Sequence, residues 1–161
     1  MNGLPIVSRL GMTDSVITEI LTLGNISSRF VGCYHLENMP GDIFRKKYFY
    51  AVINIGNHFV ALYRTPTFVL YFDPLARPIP ASLSELLKKR LSAGVHLYFN
   101  TKKIQAFTSS HCGIFVCLFL LHLDKKDQFN LPKLDFFERD LTQNNLYATN
   151  LLKNIMKKIN T

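Results

Sequence analysis

Residues 48–74 read YFYAVINIGNHFVALYRTPTFVLYFDP. Three runs rich in aromatic and β-branched residues are broken twice by turn pairs. Tyr48–Ile55 is the first run and ends at Gly56-Asn57. His58–Arg64 is the second and ends at Thr65-Pro66. Thr67–Asp73 is the third. Such runs read as strands, and connections this short join antiparallel neighbours, so the three form a meander. Each run is apolar at both odd and even positions. A sheet with no polar face must be covered on both sides, and helices are the expected cover.

The flanking sequence supplies them. Asp14–Leu23 places Val16, Ile17, Ile20, Leu21 and Leu23 at helical spacing, with Thr13 to cap its start and Gly24 to end it. Phe30–Tyr34 predicts a short strand and Asn38–Asp42 a turn. After the three-proline loop Pro74–Pro80, Ser82–Leu91 is an amphipathic helix. Its Leu83, Leu86, Leu87 and Leu91 point inward, and Lys88, Lys89 and Arg90 point outward. Val95–Phe99 is a further strand, in which His96 alternates with apolar residues and reads as structural. Thr101–Ser110 is a polar loop. Cys112–Leu123 is apolar all round and predicts the central buried helix. Lys125–Pro132 reads as a loop. Asp135–Ile159 reads as one or two helices with Leu146, Leu151, Leu152, Ile155 and Met156 facing in. The order of elements is that of an α+β protein, and 161 residues predict a single domain over 1–161.

Hydrophobic residues make up 48% of the chain and charged residues 19%, which excludes disorder. Nineteen Lys and Arg against eleven Asp and Glu give a net charge of +8. Such a charge favours polyanionic company, nucleic acid above all, or serves solubility alone. Three cysteines do not make a disulfide framework and point to a reducing compartment. Met1–Leu10 lacks the pattern of a signal peptide. The longest apolar run, Ile114–Leu121, falls far short of the roughly 20 residues a membrane span needs. A protein that is neither secreted nor in a membrane is expected. Nothing repeats.

Ser109-Ser110-His111-Cys112-Gly113-Ile114-Phe115 puts a cysteine where a polar loop meets a buried helix. The free amides of a helix N-terminus favour a thiolate, so Cys112 is where a nucleophile belongs. Gly113 permits close approach of a substrate backbone. Cys117, deep in the apolar run, reads as an inert core cysteine. A thiol nucleophile needs a base, and the base needs an orienting group. His58 opens the second strand and Asp73 ends the third, so an antiparallel pairing brings them to the same end of the sheet. Asp73 would then fix the imidazole's tautomer. His35, His96 and His122 are worse placed, and His111, next to Cys112, can shape the site but not serve as its base. The Cys112 amide and the side chain of Gln105 are candidate donors to an oxyanion. Cys112, Cys117 and His122 are spaced C-x4-C-x4-H, and Cys33 and His35 form C-x-H. Neither set reaches four ligands on one side, so no metal is expected.

Gly56-Asn57-His58-Phe59, Tyr71-Phe72-Asp73-Pro74 and Gln105 through Phe115 together resemble the adenovirus protease (adenain) family. That family lies in the wider group of SUMO- and ubiquitin-like-protein proteases. The order His, acid, Gln, Cys matches, as does the seven-residue step from Gln105 to Cys112. The resemblance runs from Thr13 to His122. It implies a papain-like cysteine protease variant, with a mostly antiparallel central sheet flanked by helices and a buried helix that starts at the nucleophile. It implies Cys112 as nucleophile, His58 as general base and acid, Asp73 as orienting acid and Gln105 as oxyanion donor. Gly56, Asn57, Phe59, His111 and Gly113 are expected to meet the substrate. The chain departs from the family in having Phe59 where Trp is usual. It also has Gly94 where the adenoviral enzymes carry the cysteine that links an activating peptide.

The main expectation is therefore a viral-type cysteine endopeptidase that cleaves after Gly-Gly-like sequences in viral structural precursors. One alternative is a deubiquitinase or ubiquitin-like-protein-specific protease. A second, of another class, is a catalytically inactive basic nucleic-acid-binding protein. The sequence itself demands no cofactor, while the resemblance implies DNA or a peptide as activator. A monomer acting on polypeptides, with DNA contacts through its basic surface, is expected in a virion or in the host nucleus or cytoplasm.

Overall fold

The computed structural model describes residues 13–56, 58–101, 103–104 and 112–126. In chain order the elements are α1 (Asp14–Leu23), β1 (Phe30–His35), β2 (Phe49–Asn54), β3 (Phe59–Arg64), β4 (Phe68–Phe72), α2 (Ala81–Arg90), β5 (His96–Phe99) and α3 (Cys112–Lys126). Two 3-10 turns, Leu36–Asn38 and Gly41–Arg45, stand where a simple turn was expected between β1 and β2. Helix α1 forms over the residues its pattern marks. The Thr13 hydroxyl accepts from the Val16 amide at 3.3 Å, and Gly24 closes the last turn by donating to the Ile20 carbonyl.

The five strands lie in the order β1-β2-β3-β4-β5. The central three pair antiparallel, as the turn pairs predict. The marginal strands β1 and β5 pair parallel to β2 and β4, so the sheet is mixed. Connection length explains this: residues 36–48 and the loop and helix of 73–95 are long enough to cross over and re-enter in the same direction. The β2–β3 connection is a tight hairpin in which the Ile55 amide donates to the His58 carbonyl at 2.9 Å. Gly56 takes φ +101 there, a sign that two-residue hairpins require and that a side chain resists.

Alternation along the strands divides the core in two. Tyr50, Val52, Phe59, Ala61, Tyr63, Phe68, Leu70 and Phe72 pack with α1 and α3. Phe49, Ala51, Ile53, Val60, Leu62, Val69 and Tyr71 pack with Leu83 and Leu87 of α2 and with Ile43 and Phe44. Both faces of the meander are thus covered by helical segments, as its apolar faces demand. Strand β5 differs most: all four of its residues are exposed, His96 among them. That strand is the sheet's margin and not part of the covered centre.

Helix α3 is buried along most of its length, as its unbroken apolar run requires. It runs through Lys126, past the point where the sequence suggested a loop, because Asp124 is tied down. Its carboxylate accepts from the Ser27 amide at 2.9 Å and from the Ser27 hydroxyl at 2.6 Å. The helix is seated on β4 by Phe119, whose ring stacks on that of Phe72 with centroids 4.0 Å apart. Phe119→Ala is expected to destabilise the fold by about 3–5 kcal/mol, read from denaturant unfolding, because both rings are buried and a cavity would remain. Among the described residues, no helix is long and apolar enough to cross a membrane. The helices expected in Asp135–Ile159 lie outside the described residues.

Candidate active site

His58 stands immediately before β3 and Asp73 immediately after β4. The register pairs Ala61 with Phe72, so the two residues emerge side by side at one end of the sheet. His58 Nε2 lies 2.6 Å from Asp73 Oδ1, a hydrogen bond between two buried side chains, with Asp73 fully enclosed.

A buried carboxylate needs its lone pairs satisfied. Besides the imidazole, Oδ1 of Asp73 accepts from the Leu75 amide at 2.8 Å, and Oδ2 accepts from the Arg77 amide at 3.2 Å. The Ala76 amide donates to the Asp73 carbonyl at 2.8 Å, closing a turn that holds Ala76 at φ +51. These amides compensate a left-handed alanine, which is otherwise unfavourable. The Pro74–Arg77 loop is therefore a cradle for one carboxylate. Across the sheet margin, the Asn100 side chain accepts from the Asp73 amide at 2.8 Å and donates to its carbonyl at 2.6 Å. Sequence reasoning passed over Asn100. Nothing in the residue type marks it, and its role depends on the parallel β4–β5 register.

Cys112 is the first residue of α3, 6% exposed, and its side chain is hydrogen-bonded to His58. With Nε2 committed to Asp73, Nδ1 is the ring nitrogen that remains for the thiol. Burial alone would lower the His58 pKa. The hydrogen bonds to Asp73 and Cys112, together with their charges, outweigh it and raise the pKa from 6.5 to about 9. The imidazole is thus held in its charged form at neutral pH, facing a sulfur at the positive end of a helix. That arrangement puts a nucleophile and an acid in contact.

The other cysteines lie in different surroundings. Cys33 is a free, half-buried thiol whose pKa is pushed up to about 12 by burial and then by the charge of Asp14. Cys117 is fully buried and its thiol is likewise pushed up by burial. Both are poor nucleophiles, and the contrast singles out Cys112.

The remaining sequence-marked residues fall as follows. Gly56 forms the hairpin leading into His58, with open space where a Cβ would stand. Phe59 is 4% exposed and packs in the core shared with α3, so the structure gives it a packing position beneath the site. Gly113 is buried in the first turn of α3. Asn57, Gln105 and His111 lie outside the described residues. A cleft of about 720 Å3 opens beside the Gly56 turn, lined among others by His35, Glu37, Asn54 and Ser82.

A mixed five-stranded sheet carries an acid–histidine pair at one end, with a cysteine at the head of a buried helix against it. The chain shares its fold with proteases of known structure. The comparisons behind this are structural: no protein-family model matches the sequence, and neither does any curated protein. The ASFV pS273R protease superposes with a TM-score of 0.56 at 13% identity, over 91% of this chain and 66% of that one. The chain thus spans just under two thirds of that protease. The SUMO protease Ulp1, solved with its catalytic cysteine oxidised to a sulfinic acid, gives 0.53 at 13% identity over 90% and 78%. The central domain of the uncharacterized Lpg1148 protein from Legionella pneumophila gives 0.51 at 18% identity over 92% and 97%. At such identities the likeness is one of fold.

Proposed function

We propose that the protein is a cysteine peptidase acting on ubiquitin-like modifiers, cleaving after their glycine-ended tails. The observation that carries this reading is the chain of contacts Asp73–His58–Cys112 at the N-terminus of α3, within a fold shared with the SUMO protease Ulp1. The Cys112 thiolate attacks the carbonyl carbon of the scissile bond. The negative charge that develops on the carbonyl oxygen is met by the Cys112 amide, one of the donors a helix leaves free at its start, and by Gln105. The imidazolium of His58 gives its proton to the departing nitrogen as the C–N bond breaks, leaving a thioester on Cys112. His58, now neutral, takes a proton from water. The resulting hydroxide releases the carboxylic acid, and the Cys112–His58 pair is restored. Asp73 keeps the ring oriented throughout and stabilises it whenever it carries the proton.

A second reading, an endopeptidase that processes precursor polypeptides, draws on the likeness to the ASFV pS273R protease. The +8 charge suits work along a polyanion such as packaged DNA under that reading.

Probes ending in a vinyl sulfone separate the two. SUMO, ubiquitin and a short Gly-Gly peptide are each given that group and incubated with the protein, and adducts are mapped by mass spectrometry. Capture of a whole modifier at Cys112, at least tenfold faster than the peptide, is the expected result. Equal or faster capture of the peptide overturns the modifier reading in favour of precursor processing. No adduct at Cys112 with any probe overturns the peptidase reading.

A further inference from the structure

We propose that Asn100 is a positioning residue, whose side-chain amide fixes the main chain of Asp73 and thereby aims its carboxylate at His58. The inference rests on the peptidase reading for its kinetic consequence, though not for its structural one.

Strands β4 and β5 run parallel, with Tyr71 opposite Phe99. One step further the side chain of Asn100 takes over from the ladder. A carboxamide carries the same acceptor and donor as a peptide group, and Asn100 uses both on one residue: Oδ1 accepts the Asp73 N–H at 2.8 Å and Nδ2 donates to the Asp73 carbonyl at 2.6 Å. Together with the amides of Leu75, Ala76 and Arg77, this engages the N–H, the carbonyl and both carboxylate oxygens of Asp73. The direction of the Asp73 side chain is set by its own φ and ψ, and Asn100 clamps the two peptide groups that define them.

A role confined to packing does not fit. Strand β5 is exposed along its whole length and buries little, so Asn100 is not needed to seat a core element. Both of the bonds described go to the residue that orients the histidine. A misplacement of about 1 Å far from the reacting atoms can reduce rate on the order of 100-fold.

The test replaces Asn100 and follows His58 directly, by NMR titration of its labelled imidazole. In Asn100→Ala the His58 midpoint is expected to fall by one unit or more. Hydrolysis should show kcat reduced 10- to 100-fold with KM within twofold, and an alkaline limb displaced to lower pH by the same amount as the NMR midpoint. Leu97→Ala, in the same exposed strand, should leave the titration unchanged. If Asn100→Ala does not fold, Asn100→Ser, which keeps an acceptor for the Asp73 amide and loses the carboxamide donor, carries the same expectation. A His58 midpoint within 0.2 unit of wild type in the folded variant overturns the proposal. A wild-type protein that hydrolyses no substrate overturns the peptidase reading alone, because the imidazole titration still reports whether Asn100 governs the Asp73–His58 contact.

Discussion

Cys112→Ala is expected to lower kcat/KM on the order of 10⁴- to 10⁶-fold while leaving the protein folded, because it removes the atom placed to attack. Cys33 and Cys117 cannot substitute, as both are held protonated by burial. Alanine suits the first turn of α3 at least as well as cysteine. The lost contact is a single sulfur at the margin of the core, so the stability change should stay near 1 kcal/mol. His58→Ala should be about as damaging to turnover, since the thiolate loses its countercharge and the leaving nitrogen its acid. The informative case is the double variant. Residues that act as one unit are not additive, so Cys112→Ala/His58→Ala should be no slower than Cys112→Ala alone. Kinetics on a cleavable substrate, with thermal unfolding as the control for folding, make the check. Retention of a tenth of the wild-type kcat/KM by Cys112→Ala would remove Cys112 from the mechanism.

Much of this arrangement is legible in the sequence, for reasons that differ by residue. The meander is written into residues 48–74 because each strand is apolar throughout and each break is a turn pair. The proximity of His58 to Asp73 then follows from antiparallel geometry alone. Helix α1 is readable to the residue because Thr13 and Gly24 are strong local signals at its ends. The burial of α3 is readable from an apolar run with no polar stripe. What escapes is whatever depends on long connections or on a single side chain's reach. The parallel pairing of β1 and β5 is set by how residues 36–48 and 73–95 pack across the sheet, which no periodicity encodes. The exposure of His96 comes from β5 being the margin. Phe59 follows His58 in a motif that suggests substrate contact, yet strand alternation turns it into the core. Asn100 matters through a register, and an asparagine beyond a short strand looks like any loop residue. The far end of α3 depends on Ser27, which lies in a distant part of the chain.

Asp73→Asn tests the electrostatics of the site. The carboxamide retains the shape of the carboxylate and its oxygen can still accept from the Leu75 amide, while its NH2 group takes the place of the oxygen that accepts from the Arg77 amide, and that one bond is lost. The negative charge is lost. In the wild-type protein, burial lowers the His58 pKa and the bonds and charges of Asp73 and Cys112 raise it, for a net rise from 6.5 to about 9. Without the charge of Asp73 the burial effect gains ground and the midpoint falls by two units or more. At pH 7 no more than about half of the imidazole is then charged, its orienting ion pair is gone, and kcat/KM should drop by about 10³- to 10⁴-fold. Wild-type activity should hold through neutral pH and decline above about 9. In Asp73→Asn the decline should begin below 7. Stability follows the same linkage. A group whose pKa is higher folded than unfolded stabilises the fold fully below its unfolded value, and that contribution disappears as pH rises through its folded value. The His58 contribution is therefore complete below about 6.5 and lost through about 9. The Tm difference between wild type and Asp73→Asn should be widest near pH 6 and narrow steadily towards pH 9.5. Thermal unfolding across that range, beside the pH dependence of kcat/KM, decides the matter: an alkaline limb that stays near 9 in Asp73→Asn would mean that Asp73 does not hold the charge on His58.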